Sequence, residues 1–178
     1  MVERSVSSPA RAVDQAPVVP RPFRRPPRRL HSLTQSFNVG EGKGYLTVSC
    51  TDAGAPVEVM VRMAKQGSTL AGMMDAFSTT ITRGLQHGVP LDVFVSEYVN
   101  MRFEPAGMTN DPEIRQVSSV MDYVGRRLAM DYLPYEVRAG LGVLTAEERK
   151  AKEALDGAGD VVWQHMIGLA MSAPPAVR

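Results

Sequence analysis

A lysine, a glycine and two hydroxyl side chains fall together at Lys65-Gln-Gly-Ser-Thr69, between a strand-like run and a helical one. One ammonium, two hydroxyls and the free N–H groups of a strand-to-helix turn could hold a phosphate there. The spacing is not that of a Walker A loop, because the terminal Lys-Ser/Thr pair is missing. The bland alternative has Ser68 capping the helix while Gly67 permits the turn. A second grouping, Arg102-Phe-Glu104 ahead of Pro105, either presents an Arg and a carboxylate to a partner or closes a local salt bridge that fixes the loop. Cys50 is the single cysteine, so neither a redox dithiol nor a paired-cysteine zinc site can form within the chain. Its mid-strand position suits a small buried hydrophobe. His31, His87 and His165 share no ligand spacing, and Asp75, Asp92 and Asp122 have no second carboxylate placed for a metal pair. No metal and no Ser/His/Asp or Cys/His constellation is expected.

The elements that must carry these residues are legible from periodicity. Leu33–Val39, Gly44–Thr51 and Pro56–Arg62 read as three short strands, separated by Gly40-Glu-Gly-Lys-Gly44 and Asp52-Ala-Gly-Ala-Pro56. In the second run Tyr45, Thr47 and Ser49 oppose Leu46, Val48 and Cys50, and in the third the valines 57, 59 and 61 oppose Glu58, Met60 and Arg62. Each strand can therefore bury one face. Ser68–Gln86 carries Leu70, Met73, Met74, Phe77, Ile81 and Leu85 at helical spacing, with Ser68 as N-cap and Gly88 as stop. A second helix starts at Pro90 with Leu91, Phe94, Val95 and Tyr98 on one stripe. A third is expected from Asp111 as N-cap and Pro112 at the first position, through Ile114, Val117, Met121, Val124 and Leu128. The fold class is α+β, a three-stranded antiparallel sheet packed by about three helices.

Three regions follow: a Pro/Arg-rich tail over 1–29, the α+β module over 30–134, and a helical extension over 135–178. Seven arginines against Glu3 and Asp14 give the first 30 residues a charge of +5, which leaves −4 for the rest of a chain whose net charge is +1. With six prolines and little apolar content, the tail is expected to be disordered, as a solvated linker or as an arm binding nucleic-acid phosphates or a polyproline groove. In the extension, Thr145-Ala-Glu-Glu148 is a capping box for a charged helix to about Leu155, and Val161–Met171 is a short apolar stretch beyond a Gly157-Ala-Gly159 hinge. No apolar run approaches the roughly 18 residues of a spanning helix, so no membrane partner is expected and the location is taken as cytoplasmic. Eleven methionines, eight of them within the α+β module, suit either adaptable core packing or an adaptable docking surface.

The strings Arg28-Arg-Leu30, Leu33-Thr34, Phe37 and Gly44-Tyr45-Leu46-Thr47-Val48 open an ordered series that continues through Met63-Ala-Lys-Gln-Gly-Ser-Thr-Leu-Ala-Gly-Met-Met-Asp-Ala-Phe77. Gln86-His-Gly-Val-Pro-Leu91, Arg102-Phe-Glu-Pro-Ala-Gly107, Asp111-Pro-Glu-Ile114 and Asp122-Tyr123 complete it. This series resembles the C-terminal module, often called the TSCPD domain, of class II, adenosylcobalamin-dependent ribonucleotide reductases. The naming string itself is absent, and Gln35-Ser36 stands where that family leads one to expect His-Lys. The resemblance covers about six-tenths of the chain and none of the catalytic barrel. It implies a full enzyme that reduces ribose with a thiyl radical and cysteine pairs, sets that this chain lacks. The expectation is a stand-alone module in deoxyribonucleotide synthesis, an accessory or regulatory partner of a catalytic reductase chain. Adenosylcobalamin belongs to that full enzyme and is not bound by this chain alone. Docking is expected through Arg102, Phe103 and Glu104. The alternatives are a nucleotide or phosphate module using Lys65, Gly67, Ser68 and Thr69, or nucleic-acid binding through the tail.

Overall fold

The computed structural model describes residues 22–155. The tail up to Arg21 and the Val161–Met171 stretch with its Gly157–Gly159 hinge lie outside the described residues. Of the remaining tail, Arg24 N–H donates to the Gln86 carbonyl at 2.8 Å, and the Arg83 guanidinium lies 5.6 Å over the Phe23 ring.

Strands β1 (His31–Val39), β2 (Gly42–Cys50) and β3 (Pro56–Met63) form one antiparallel sheet in the order β1-β2-β3. Pleating sorts them as the alternation requires. Phe37, Val39, Leu46, Val48, Val59 and Val61 are buried on one face, while Tyr45, Met60 and Arg62 are exposed on the other. The first hairpin turns on Gly40 and Glu41 alone, tighter than the expected Gly40–Gly44 connection, because Gly42 and Gly44 pair with Val39 and Phe37. A Cβ at position 44 would lie 2.5 Å from Phe37 Cζ, so the aromatic ring needs glycine opposite it.

Helix α1 (Thr69–Gln86) runs along the outer edge of β3. Val61 N–H donates to Ser78 Oγ at 2.8 Å, and Val59 N–H to Thr82 Oγ1 at 3.0 Å. Thr82 Oγ1 also donates to Val59 O, and Gln86 Nε2 reaches Val57 O at 3.5 Å. Four helical residues rise about 6 Å and two strand residues about 6.6 Å, so positions 78, 82 and 86 stay in step with 61, 59 and 57. This stripe buries Met74, Ser78 and Ile81 and leaves Phe77 half-buried. Met73, expected against the sheet, is instead 61% exposed, since it falls about 100° around the helix from Met74.

Helix α2 (Leu91–Tyr98) packs on α1 at Gly84, where a Cβ would meet Phe94 Cζ at 2.3 Å. The third helix, α3 (Val120–Tyr132), begins eight residues later than expected. Ser119 caps it, accepting from Asp122 N–H at 3.0 Å, and the Asp122 carboxylate accepts in return from Ser118 N–H at 2.9 Å. Asp111 does accept from Glu113 N–H at 3.0 Å, as a cap would, but the chain bends there without entering a helix. Thr109 bridges Asp111 N–H and the Ile114 carbonyl, closing a hairpin of β4 (Gly107–Met108) and β5 (Gln116–Val117). Ile114 and Val117 are buried as the helical spacing suggested, but from this hairpin. The hairpin adds to the β1 edge through the Val39–Thr109 bridge and Gly40 N–H to Met108 O. Across the buried face, Tyr123 of α3 packs on Phe37 with ring centroids 4.9 Å apart and planes tilted by 34°. Short α4 (Tyr135–Gly140) and α5 (146–155) follow, α5 opened by the reciprocal Thr145–Glu148 capping box.

Removing the Ser78 hydroxyl strands the buried Val61 N–H, so Ser78→Ala should cost about 1–3 kcal/mol. Thr79→Ala, on the exposed side of the same turn, should change stability by less than about 0.5 kcal/mol. Urea unfolding of both variants separates an edge-sealing hydroxyl from a merely helical one.

Candidate functional site

The Lys65–Thr69 turn is built by two residues at positive φ, Ala64 at 66° and Gly67 at 81°. Ser68 N–H donates to Lys65 O at 3.0 Å, and Ser68 Oγ accepts from Ala71 N–H at 3.2 Å. The hydroxyl is thus committed to capping α1, while Lys65 and Thr69 are exposed. The turn also forms one wall of an open cavity of about 470 Å³. Ala64, Gln66, Ala71 and Asp75 line it from the turn and α1, and Lys43, Tyr45 and Arg62 from the sheet. The sequence reading did not single out those three sheet residues. Their signal was strand parity, which puts 43 and 45 on the face of β2 away from the core.

The Arg102–Glu104 loop is held from α3. Asp122 Oδ1 accepts from Asn100 N–H at 2.8 Å and from Arg126 Nε at 2.7 Å, and Arg126 also donates to Asn100 Oδ1. Ser118 and Ser119 hydroxyls both donate to Met101 O, and Phe103 N–H donates to Ser118 O. Asp122, solitary in the sequence, is the hub of this loop. Arg102 and Glu104 form no ion pair with each other; the Glu104 carboxylate accepts from Ala106 N–H across a cis Glu104–Pro105 bond. What the loop presents is apolar: Met101, Phe103 and Met108 are 38%, 37% and 58% exposed. The methionines divide between both readings of their abundance, with Met63, Met74 and Met121 buried and Met60, Met73, Met101 and Met108 exposed.

A third cluster lay hidden in the sequence because its members come from three elements. Tyr123 OH donates to Asp111 Oδ2 at 3.0 Å, and the Gln35 amide donates to both. Arg127 donates to Asp111, to Glu113 at 2.7 Å and to both oxygens of Asp131. Burial alone would push the Asp111 carboxyl up, but the Glu113 N–H, the Tyr123 hydroxyl and the Arg127 charge outweigh it and hold it below the ordinary carboxylate range. Burial, then the Asp111 charge, pushes the Tyr123 hydroxyl well up. Every buried side-chain polar atom here has a hydrogen-bond partner, and the Asp111–Tyr123–Arg127 centre lines none of the cavities described, so the cluster is a structural clamp. Burial followed by contact with Cys50 pushes the Tyr132 hydroxyl up to about 12. Among the described residues, no group of three His, Cys, Asp or Glu side chains is placed to hold a metal ion.

Residues 17–132 match the TSCPD domain family. The chain is 50% identical over 160 residues to the vitamin B12-dependent ribonucleotide reductase of Streptomyces avermitilis, a match covering 88% of this chain and 16% of the relative. The reductase of the same name from Streptomyces coelicolor is 50% identical over 163 residues with the same coverage. That of Rhodopirellula baltica is 42% identical over 114 residues, covering 64% of this chain and 11% of the relative. The chain therefore spans about one sixth of the length of the Streptomyces relatives. No solved structure matches it.

Two outcomes follow from this geometry. Ser68→Ala should lower stability by about 1 kcal/mol through the lost cap. Because Asp111 is held down in the fold, its stabilisation is complete above the unfolded value near 4 and fades as pH falls through the lower folded value. Asp111→Asn should cost about 1–3 kcal/mol at neutral pH, and the gap to the parent should narrow in acid. Urea unfolding across a pH series reads both the cost and its acid limb.

Proposed function

This chain belongs to the TSCPD domain family, and from that premise we propose that it serves vitamin B12-dependent ribonucleotide reduction as a docking and regulatory module, with the radical chemistry housed elsewhere. The carrying observation is 50% identity across 88% of this chain set against 16% of the relative. Within the matched part the chain offers one thiol, Cys50, half-buried in β2, where thiyl and dithiol chemistry would need several. The surface suited to docking is the loop carrying Met101, Phe103 and Met108, apolar side chains kept exposed on a backbone that Asp122, Ser118 and Ser119 immobilise. Preordered apolar anchors are what a protein interface uses for most of its binding energy.

The relatives' name implies a cobalamin. Five cavities lined by described residues have volumes of about 230 to 570 Å³ and open to solvent, at or below the lower half of the range for small-molecule pockets. A corrin ring with its nucleotide arm exceeds them. We assign binding of that cofactor to the catalytic partner.

The test is capture of the tagged chain from extract of its native cells, with mass spectrometry and a reductase assay on the eluate. A B12-dependent reductase chain should co-purify with activity, and Phe103→Asp with Met108→Asp should cut its recovery by about tenfold or more. An eluate free of any reductase chain overturns the proposal.

A further inference from the structure

The cavity beside the Lys65–Thr69 turn collects three charged side chains that the fold leaves unpaired. Elsewhere the described arginines that matter to the core are locked: Arg126 to Asp122, Arg127 to three carboxylates, Arg138 to Glu148. Lys43, Arg62 and Asp75 line one cavity and form no ion pair, although cation and carboxylate face the same space. The one side-chain partner of Arg62 is the Met60 thioether, a weak acceptor that leaves its terminal nitrogens available.

Strand register arranges the rest. Tyr45 on β2 lies directly opposite Arg62 on β3, so the phenol ring and the guanidinium share a face with Cβ atoms about 5 Å apart. Lys43, two residues along β2 on that face, is displaced by about 7 Å. Tyr45 is 58% exposed, a flat aromatic surface held on a rigid sheet. An exposed aromatic platform with a planar cation beside it and an ammonium a short span away is a combination that stacks a base and holds phosphates. Asp75, on the opposite wall, is an acceptor for sugar hydroxyls.

We propose that this cavity binds a nucleotide-class ligand, its base stacked on Tyr45 and its phosphates on Arg62 and Lys43. The site shares a wall with the Lys65–Thr69 turn through Gln66 but does not draw on the Ser68 hydroxyl, which is already used in capping, and it operates whether or not the module docks on a reductase.

The experiment is calorimetric titration of the full chain with ATP, tripolyphosphate and adenosine. ATP should bind saturably. Arg62→Ala and Lys43→Ala should each weaken both ATP and tripolyphosphate by about tenfold, and Tyr45→Ala should weaken ATP by about tenfold while leaving tripolyphosphate unchanged. All three side chains are exposed, so the variants should keep the parental thermal midpoint. No saturable ATP binding by the parent overturns the proposal. So does binding that survives the Tyr45 and Arg62 variants, whether it then depends on Lys65 or on the Arg-rich tail.

Discussion

A three-stranded antiparallel sheet exposes two rows of unpaired backbone N–H and C=O groups, and the architecture here is organised around sealing them. On the β3 side the seal is a helix, in which hydroxyls and an amide at four-residue intervals stand in for a missing strand. That solution demands α1 close against β3, and therefore small or polar side chains at 78 and 82 where a packing helix would ordinarily place larger apolar ones. On the β1 side the seal is the β4–β5 hairpin, paired at Val39 and Gly40 and extended by Asn38 N–H donating to Asn110 Oδ1 at 2.7 Å.

The hairpin can do this only because α3 holds it. Asp111 and Glu113, from its turn, both bind Arg127 of α3, and Asp111 is bound again by Tyr123, whose ring lies on Phe37 of β1. One clamp thus fixes strand, hairpin and helix together. The N-terminus of the same helix holds the Met101–Met108 loop through Asp122. Breaking a buried pair of this kind is costly because it leaves a desolvated charge behind, so the clamp imposes one arrangement on three elements. Both surfaces proposed above as binding sites, the apolar loop and the charged cavity, are by-products of these seals: the loop hangs from α3, and the cavity forms where α1 rises past the sheet's open face.

Much of the architecture was legible before any coordinates. Strand alternation, the Ser68 cap and the Thr145–Glu148 box are local matters, set by residues within a few positions of each other, and periodicity captures them. The third helix shows where local reading fails. Asp111-Pro-Glu carries a sound start signal, and Ile114 and Val117 keep helical spacing, yet two buried residues three apart also suit a hairpin packed on the core. Thr109 and the pairing with β1 decided between them.

The sequence by itself determined the fold class, the faces of β3 and of β2 as far as Val48, the single thiol and the family likeness, because each is carried by composition or by short-range order. Beyond Val48 a register shift buries Ser49 and leaves Cys50 half-buried. Tertiary structure alone decided which charges are neutralised and which are left open. Arg127 finds Asp111 sixteen residues away and becomes scaffold, whereas Arg62 faces Tyr45 across a strand pair and stays unpaired. Spacing along the chain cannot distinguish those two arginines, since the electrostatics of each depend on partners that meet only when the sheet, hairpin and helices have closed on one another.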